Sequence, residues 1–217
     1  GEIEIKCESL EVLSPKAHTL PFEIDGMQEV NEEVRLKYRY LDMRSKKISN
    51  NIKLRSDVLH YLRNKMYDLS FTEVQTPILT VSSPEGARDF VVPSRKFKGK
   101  FYALPQAPQI YKELLMVGGV DKYFQVAPCF RDEDSRKDRT LEFYQLDMEM
   151  SYVTEDDVLE VGEEIFYDVF SKFSNKEVSP RPFRRIAYKE AMDSYGSDKP
   201  DLRNPLIIKD ASKVLEH

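Results

Sequence analysis

The sequence predicts an α+β domain, an antiparallel sheet flanked by helices. Three observations carry this. Residues 123–152 hold two runs of period-2 alternation separated by a charged loop. Residues 31–69 and 154–173 carry apolar residues at helical spacing. No strand–helix–strand rhythm of the kind that builds a parallel sheet runs through the chain.

The elements follow in order. Ile3 and Ile5 alternate with Glu2, Glu4 and Lys6, which reads as one or two edge strands within residues 1–13. Residues 14–30, with Pro15, Pro21 and no periodicity, read as a linker. In the helical stretch that follows, Ile48, Ile52, Leu59, Leu62, Met66 and Leu69 share one stripe. Phe71 to Leu79 is strand-like, and Pro77 inside it argues for an edge or an interface. Residues 82–100 read as a polar loop. Pro108 opens a short helix that Gly118-Gly119 stops. Strands are expected at Tyr123–Arg131 and Leu141–Tyr152. Thr154 followed by Glu155, Asp156 and Asp157 marks a capped helix start, and Val158, Val161, Ile165, Phe166, Val169, Phe170 and Phe173 form its expected buried stripe. After Pro180 and Pro182, a strand at Phe183–Tyr188 and a short helix ending at Gly196 are expected, and residues 197–217 lead into a further unit.

Composition narrows the function. Over 217 residues, 41% hydrophobic content with 11% aromatics supports a packed core, and 33% charge spread along the chain reads as a soluble globular surface. A net charge of -5 argues against a protein that grips nucleic acid over its whole surface, so any RNA contact rests on local patches. Cys7 and Cys129 make no disulfide framework, which points to a reducing compartment, expected to be cytoplasmic. His18, His60 and His217 have no partners at zinc-ligand spacing. No apolar run approaches the roughly 20 residues that span a bilayer. The first residues, Gly1-Glu2-Ile3-Glu4-Ile5, carry no basic leader and begin in mid-strand, so the chain reads as an internal piece of a longer one.

No phosphate loop, GxGxxG, HExxH or GxSxG motif is present. The chemistry concentrates in residues 123–152. Alternation puts Phe143, Gln145, Asp147 and Glu149 on one face of the second strand and Gln125, Cys129 and Arg131 on one face of the first. Paired as a hairpin, they form one surface with an aromatic plane, an arginine and two carboxylates. Such a surface suits a ligand with a flat base, a phosphate and an ammonium group. A solvated sheet face with cross-strand ion pairs is the other reading of the same alternation.

Longer stretches add a resemblance. Phe130-Arg131-Asp132-Glu133, a basic loop, and Glu142-Phe143-Tyr144-Gln145-Leu146-Asp147-Met148-Glu149 resemble motif 2 of the class II aminoacyl-tRNA synthetases, and Phe71-Thr72-Glu73-Val74-Gln75-Thr76-Pro77-Ile78-Leu79 resembles their motif 1. Ser83-Pro84-Glu85-Gly86-Ala87-Arg88-Asp89-Phe90, Phe101-Tyr102-Ala103-Leu104-Pro105-Gln106-Ala107-Pro108-Gln109 and Tyr195-Gly196-Ser197-Asp198-Lys199-Pro200-Asp201-Leu202-Arg203 are similar to the bacterial-type aspartyl-tRNA synthetase family. The likeness covers nearly the whole chain.

The resemblance implies a partial class II catalytic core over 31–201, with 1–13 the remnant of an anticodon-binding barrel, 14–30 a linker and 202–217 the start of an inserted domain. It implies activation of aspartate with ATP and Mg²⁺, transfer to tRNA, and a homodimer with Pro77 at the interface. Arg131 would bind the ATP α-phosphate and the substrate carboxylate as the catalytic group. Asp132, Glu133 and Phe143 would join it around ATP, with Phe143 stacked on adenine. Lys112 would meet the side-chain carboxylate. Glu85, Gln109 and Asp147 would hold the α-amino group or support the pocket, with Gln145 and Glu149 orienting them. Arg136, Lys137 and Arg139 would touch tRNA, together with Arg95, Lys96, Lys98 and Lys100.

Three departures stand out. Thr140-Leu141 replaces a Gln-Pro pair that many members have before Glu-Phe, Ala107 replaces a frequent Ser, and the Gly-Leu-Asp-Arg signature of motif 3 does not occur in these residues. The piece alone is therefore expected to be inactive. A non-catalytic dimerisation or RNA-binding module, a related class II synthetase and an amide-forming paralogue are the rival readings.

Overall fold

A computed structural model describes residues 3–16, 18–24, 30–83, 85–136 and 139–215. The chain divides into two compact units, Gly1–Tyr61 and Leu62–His217.

The first unit contains α1 (Glu32–Lys37), α2 (Arg39–Asp42) and the beginning of α3 (Lys46–Asp68). Asn31 caps α1 by accepting the Glu33 amide at 2.9 Å. The fully buried Asp42 carboxylate is paired with Arg35, whose Nε lies 2.9 Å away, and with Arg39, so its charge is compensated where water does not reach. The helical expectation over 31–69 thus holds as three helices. The edge strands expected within 1–13 do not form among residues 3–13. Ile3, Ile5, Leu10 and Leu13 are all exposed, and alternation becomes a strand only where a neighbour supplies the ladder.

In the second unit a three-stranded sheet has the order β1–β4–β5. The short β1 (Thr72–Glu73) runs parallel to β4 (Lys122–Phe130), which pairs antiparallel with β5 (Glu142–Met150). The expected strand over Phe71–Leu79 contributes only this short ladder. Beyond it the Thr76 amide donates to the Gln125 side chain, 3.1 Å away, and Pro77 has no amide to give. The expected polar loop, residues 82–100, contains β2 (Val91–Pro93), which pairs antiparallel with β3 (Phe101–Ala103) just after it. The outer edge of β5 has no partner strand among the described residues.

Among the described residues, the unit also holds the end of α3, α4 (Gln109–Val117), α5 (Glu155–Phe173), α6 (Tyr188–Tyr195) and α7 (Ser212–Leu215). A reciprocal capping box starts α5. Thr154 accepts the Asp157 amide, and Asp157 accepts the Thr154 amide at 2.7 Å. Gly196 ends α6 at φ 66°, a left-handed turn that glycine adopts without strain. The strand expected at Phe183–Tyr188 is not formed; Ala187 stands at the N-terminal boundary of α6 with no side-chain cap, and Arg185 pairs with Asp156 of α5 instead.

The core lies between α3, α5 and one face of the sheet. Met66, Phe71, Phe124 and Ile165 are buried there, with Leu62, Leu69, Leu146, Met148, Met150, Val161 and Val169 packed around them. Burying side chains of this size contributes about 1.5–3 kcal/mol each. Lys65 of α3 bridges Glu164 and Asp168 of α5 above this core. The stripe expected on α5 is only partly buried. Ile165 is inside, whereas Phe166 and Phe170 stack on each other and are 59% and 52% exposed. They border an apolar groove of about 280 Å³ that Leu146 and Met148 floor.

Candidate active site

The site is built on the face of β4 and β5 opposite the core. The register sets Tyr123 across from Glu149, Gln125 across from Asp147, Ala127 across from Gln145 and Cys129 across from Phe143. The functional face expected from alternation is therefore formed, with Tyr123 as a member that sequence reasoning had not placed. Its hydroxyl donates to Gln125 Oε1 at 3.0 Å, and the same oxygen accepts from the Thr76 amide and hydroxyl. Burial, with the charge of Asp147 added, raises the Tyr123 hydroxyl far above its ordinary value, so it stays a donor.

The short helix α4 lies against this face and directs Lys112 into it. Lys112 Nζ is 3.0 Å from Asp147 Oδ1 and 3.2 Å from Glu149 Oε2. Burial alone would lower this ammonium; the two carboxylates outweigh it and hold the pKa above the ordinary value. Asp147 is buried, and its second oxygen, Oδ2, has no hydrogen-bond partner. A buried carboxylate oxygen without a donor is costly, and an incoming ammonium or hydroxyl would satisfy it.

Further along the hairpin, the Arg131 guanidinium packs 5.1 Å from the Phe143 ring centroid, and its Nε donates to the Gln106 carbonyl at 3.4 Å. Arg131, Glu133, Arg139, Thr140 and Phe143 line an open cleft of about 350 Å³. The Thr140 hydroxyl is turned to the Glu142 carbonyl, 2.7 Å away. The Asp132 amide donates to the Arg88 carbonyl, which ties the loop carrying Glu85 to the start of the hairpin loop. Glu85 lines a narrow cleft with Ala107 beside the first turn of α4. Gln145 Oε1 lies 3.4 Å from Cys129 Sγ. Burial pushes the Cys129 thiol up to about 11, so it is neutral near pH 7 and is no nucleophile.

The structure brings together Lys112, Asp147 and Glu149 at one end of the face and Arg131, Glu133 and Phe143 at the other, with Gln145 between them against Cys129 and with Asp132 and Glu85 on the adjoining loops. Gln109 stands apart. Its amide donates to Glu113 one turn along α4, at 2.8 Å, rather than to the Lys112 group. Pro77 is exposed, as are Ile78 and Leu79 after it. Arg136 and Arg139 are exposed and close the hairpin loop through a backbone bond, and Lys137 lies outside the described residues. Arg95, Lys96, Lys98 and Lys100 are exposed in the turn between β2 and β3. Gln106 was missed. It is buried and hydrogen-bonded to the loop before it, and no local pattern marks a glutamine for such a role.

An antiparallel β4–β5 hairpin with a basic, acidic and aromatic face, closed by a charged loop and extended by the short parallel β1, matches a known architecture. The family model of the class II tRNA synthetases (D, K and N) matches residues 31–215, and the chain belongs to that family. Among curated relatives it is 60% identical over 215 residues to an aspartate–tRNA(Asp/Asn) ligase of Pelagibacter ubique, and 58% identical over 215 residues to one of Rickettsia canadensis. A third, from Phenylobacterium zucineum, is 59% identical over 214 residues. These alignments take in 98–99% of this chain, and the chain spans about a third of the relatives' length, 36% in each. A crystal structure from Leishmania major Friedlin assigned to an aspartyl-tRNA synthetase matches with a TM-score of 0.63 at 30% identity, over 73% of this chain and 32% of that one.

No group of three or more His, Cys, Asp or Glu residues that could hold a metal gathers among the described residues. No helix among the described residues is long and apolar enough to cross a membrane.

Proposed function

We propose that this chain is part of an aspartate–tRNA ligase and carries about half of its adenylate-forming site. The single observation that carries the reading is the Lys112–Asp147–Glu149 cluster on the same sheet face as Arg131 and Phe143. Aspartate offers two carboxylates and one ammonium, so its pocket needs fixed cations and at least one unsatisfied acid. Lys112 supplies a cation for the side-chain carboxylate. The free Asp147 Oδ2, joined by Glu85 from the adjoining loop, serves the α-ammonium, and Gln109 reaches the same group by giving up Glu113. Gln145 and Glu149 hold the ends of this network in place.

Arg131 then works on the chemical step. The α-carboxylate of aspartate attacks the α-phosphorus of ATP; an oxygen–phosphorus bond forms and the bond to pyrophosphate breaks. A guanidinium fork between the two reacting groups lowers their repulsion and follows the charge that builds up on phosphorus. The attacking carboxylate is ionised at neutral pH and needs no base. Phe143 provides the plane for adenine, and Asp132 and Glu133 frame the cleft. Magnesium, travelling with ATP, supplies charge neutralisation on the phosphates. In the second step the terminal ribose hydroxyl of tRNA attacks the aspartyl carbonyl and AMP leaves. Arg136, Lys137 and Arg139, with the basic turn at Arg95–Lys100, supply the phosphate contacts.

The relatives' names extend the reading to both tRNA-Asp and tRNA-Asn as acceptors. We place the enzyme in the cytoplasm and as a homodimer. The exposed Pro77-Ile78-Leu79 segment is the proposed two-fold contact, since an edge segment with a proline suits an isologous interface. The test is ATP–pyrophosphate exchange by the full-length ligase that carries this segment, with aspartate, asparagine and lysine offered separately. Exchange with aspartate alone is expected, and exchange with another of the three instead would overturn the assignment. Charging of purified tRNA-Asp and tRNA-Asn reads the acceptor range. Light scattering reads the dimer, which should weaken with Ile78→Asp.

A further inference from the structure

One buried polar side chain serves the site without touching it. Gln106 is 1% exposed and spends its whole amide on one loop. Its Oε1 accepts the Ala87 amide at 3.2 Å. Its Nε2 donates to the carbonyls of Ser83 at 3.3 Å and Ala87 at 3.0 Å and to Asp89 Oδ1 at 2.5 Å. These contacts bracket Glu85 from both sides. The Gln106 backbone faces the other way, its carbonyl accepting from Arg131 Nε. The flanking bonds lock the segment between the loop and the sheet: Leu104 N to the Phe90 carbonyl at 2.8 Å, and Phe130 N to the Pro105 carbonyl at 2.9 Å.

We propose that Gln106 is the positioning residue that sets the Glu85 loop against Arg131, so that the amino-acid end and the phosphate end of the site keep a fixed spacing. The inference rests on the aspartate–tRNA ligase reading. Exposed loops of this kind are held by few contacts, and Glu85 is itself exposed. Without a buried clamp, an acid on such a loop samples many positions and contributes little to substrate binding. Methionine in place of Gln106 keeps the volume and removes every side-chain bond.

The experiment compares full-length ligase with Gln106→Met and Asp89→Asn, with the core variant Met66→Ala as a control for lost stability. Gln106→Met is expected to raise the KM for aspartate about tenfold or more, the effect of losing well-placed hydrogen bonds, while the KM for ATP moves less than about twofold. Hydrogen exchange of residues 83–89 should speed up, and that of residues 155–173 should not. Asp89→Asn should shift aspartate KM in the same direction by less. Met66→Ala should lower the melting temperature and leave both KM values alone. Equal changes in the two KM values, or unchanged exchange at 83–89, would overturn the clamp. If Gln106→Met does not fold, unchanged aspartate KM in Asp89→Asn overturns it. Wild-type ligase with no aspartate-dependent pyrophosphate exchange would sink the functional reading instead, and the hydrogen-exchange result would still decide the clamp.

Discussion

Lys112 Nζ sits 3.0 Å from Asp147 Oδ1, so the cation proposed to receive a substrate carboxylate is already shared with the sheet. A lysine held this way is pre-oriented, and its charge is partly spent. Lys112→Ala removes that cation and leaves two acids facing each other. The KM for aspartate should rise roughly ten- to hundredfold, the loss of one charge-assisted bond, with ATP nearly unaffected. Melting temperature falls too, so the split between the two KM values in pyrophosphate exchange is the diagnostic reading.

Arg131 should matter more to the chemical step than to binding. Arg131→Lys keeps a positive charge and loses the fork and the flat contact with Phe143. The kcat of adenylate formation should fall about 10²-fold or more, as when one preorganised donor is removed. Single-turnover kinetics check this. Near-normal kcat with a lowered melting temperature would make Arg131 a structural partner of the sheet.

Phe143→Leu tests the other end of the cleft. Stacking of a base on an aromatic ring contributes about 1–3 kcal/mol. The KM for ATP should rise several-fold or more while that for aspartate stays constant, read by the same exchange assay.

Phe124 is fully buried and packs edge-to-face on Tyr67 with centroids 5.4 Å apart. Phe124→Ala should cost about 3–5 kcal/mol, measured by urea unfolding of the full-length ligase followed by circular dichroism. A change below about 1 kcal/mol would place the core elsewhere.

Acid should loosen the Glu85 loop. The Ser82 hydroxyl, then the Gln106 amide, hold the Asp89 carboxyl below its ordinary value. A carboxyl with a depressed pKa stabilises the fold above its unfolded value, near pH 4, and that contribution fades as pH falls through the folded one. Hydrogen exchange of residues 83–89 should accelerate as the pH falls below about 4, after correction for intrinsic rates, and Asp89→Asn should flatten the profile.

The β4–β5 hairpin was legible because polar and apolar residues largely alternate along β5 and two such runs flank a charged loop, but the register that puts Gln125 opposite Asp147 came only with the structure. The start of α5 was legible through Thr154 and Asp157, a local signal. What failed was non-local. The β2–β3 pair has three-residue strands, too short to show a period. Residues 183–187 have strand composition but no ladder to join, and the exposed Phe166 and Phe170 look in sequence like any core stripe. Of the site, the residues along the hairpin and Lys112 were readable from spacing and resemblance. Gln106 was not, because its bonds depend on where a loop some twenty residues away comes to rest.

Among the described residues the outer edge of β5 is a row of amides and carbonyls with no further strand, and the apolar groove bordered by Phe166 and Phe170 lies on the neighbouring face. A strand edge beside a greasy surface is a template for another chain. Expressed by themselves, these 217 residues should be hard to keep in solution even where the hairpin and helices are correctly formed. Aggregation by strand addition between copies would then mask a sound fold, so turbidity against concentration is the first property to measure on the isolated segment, before any melting curve.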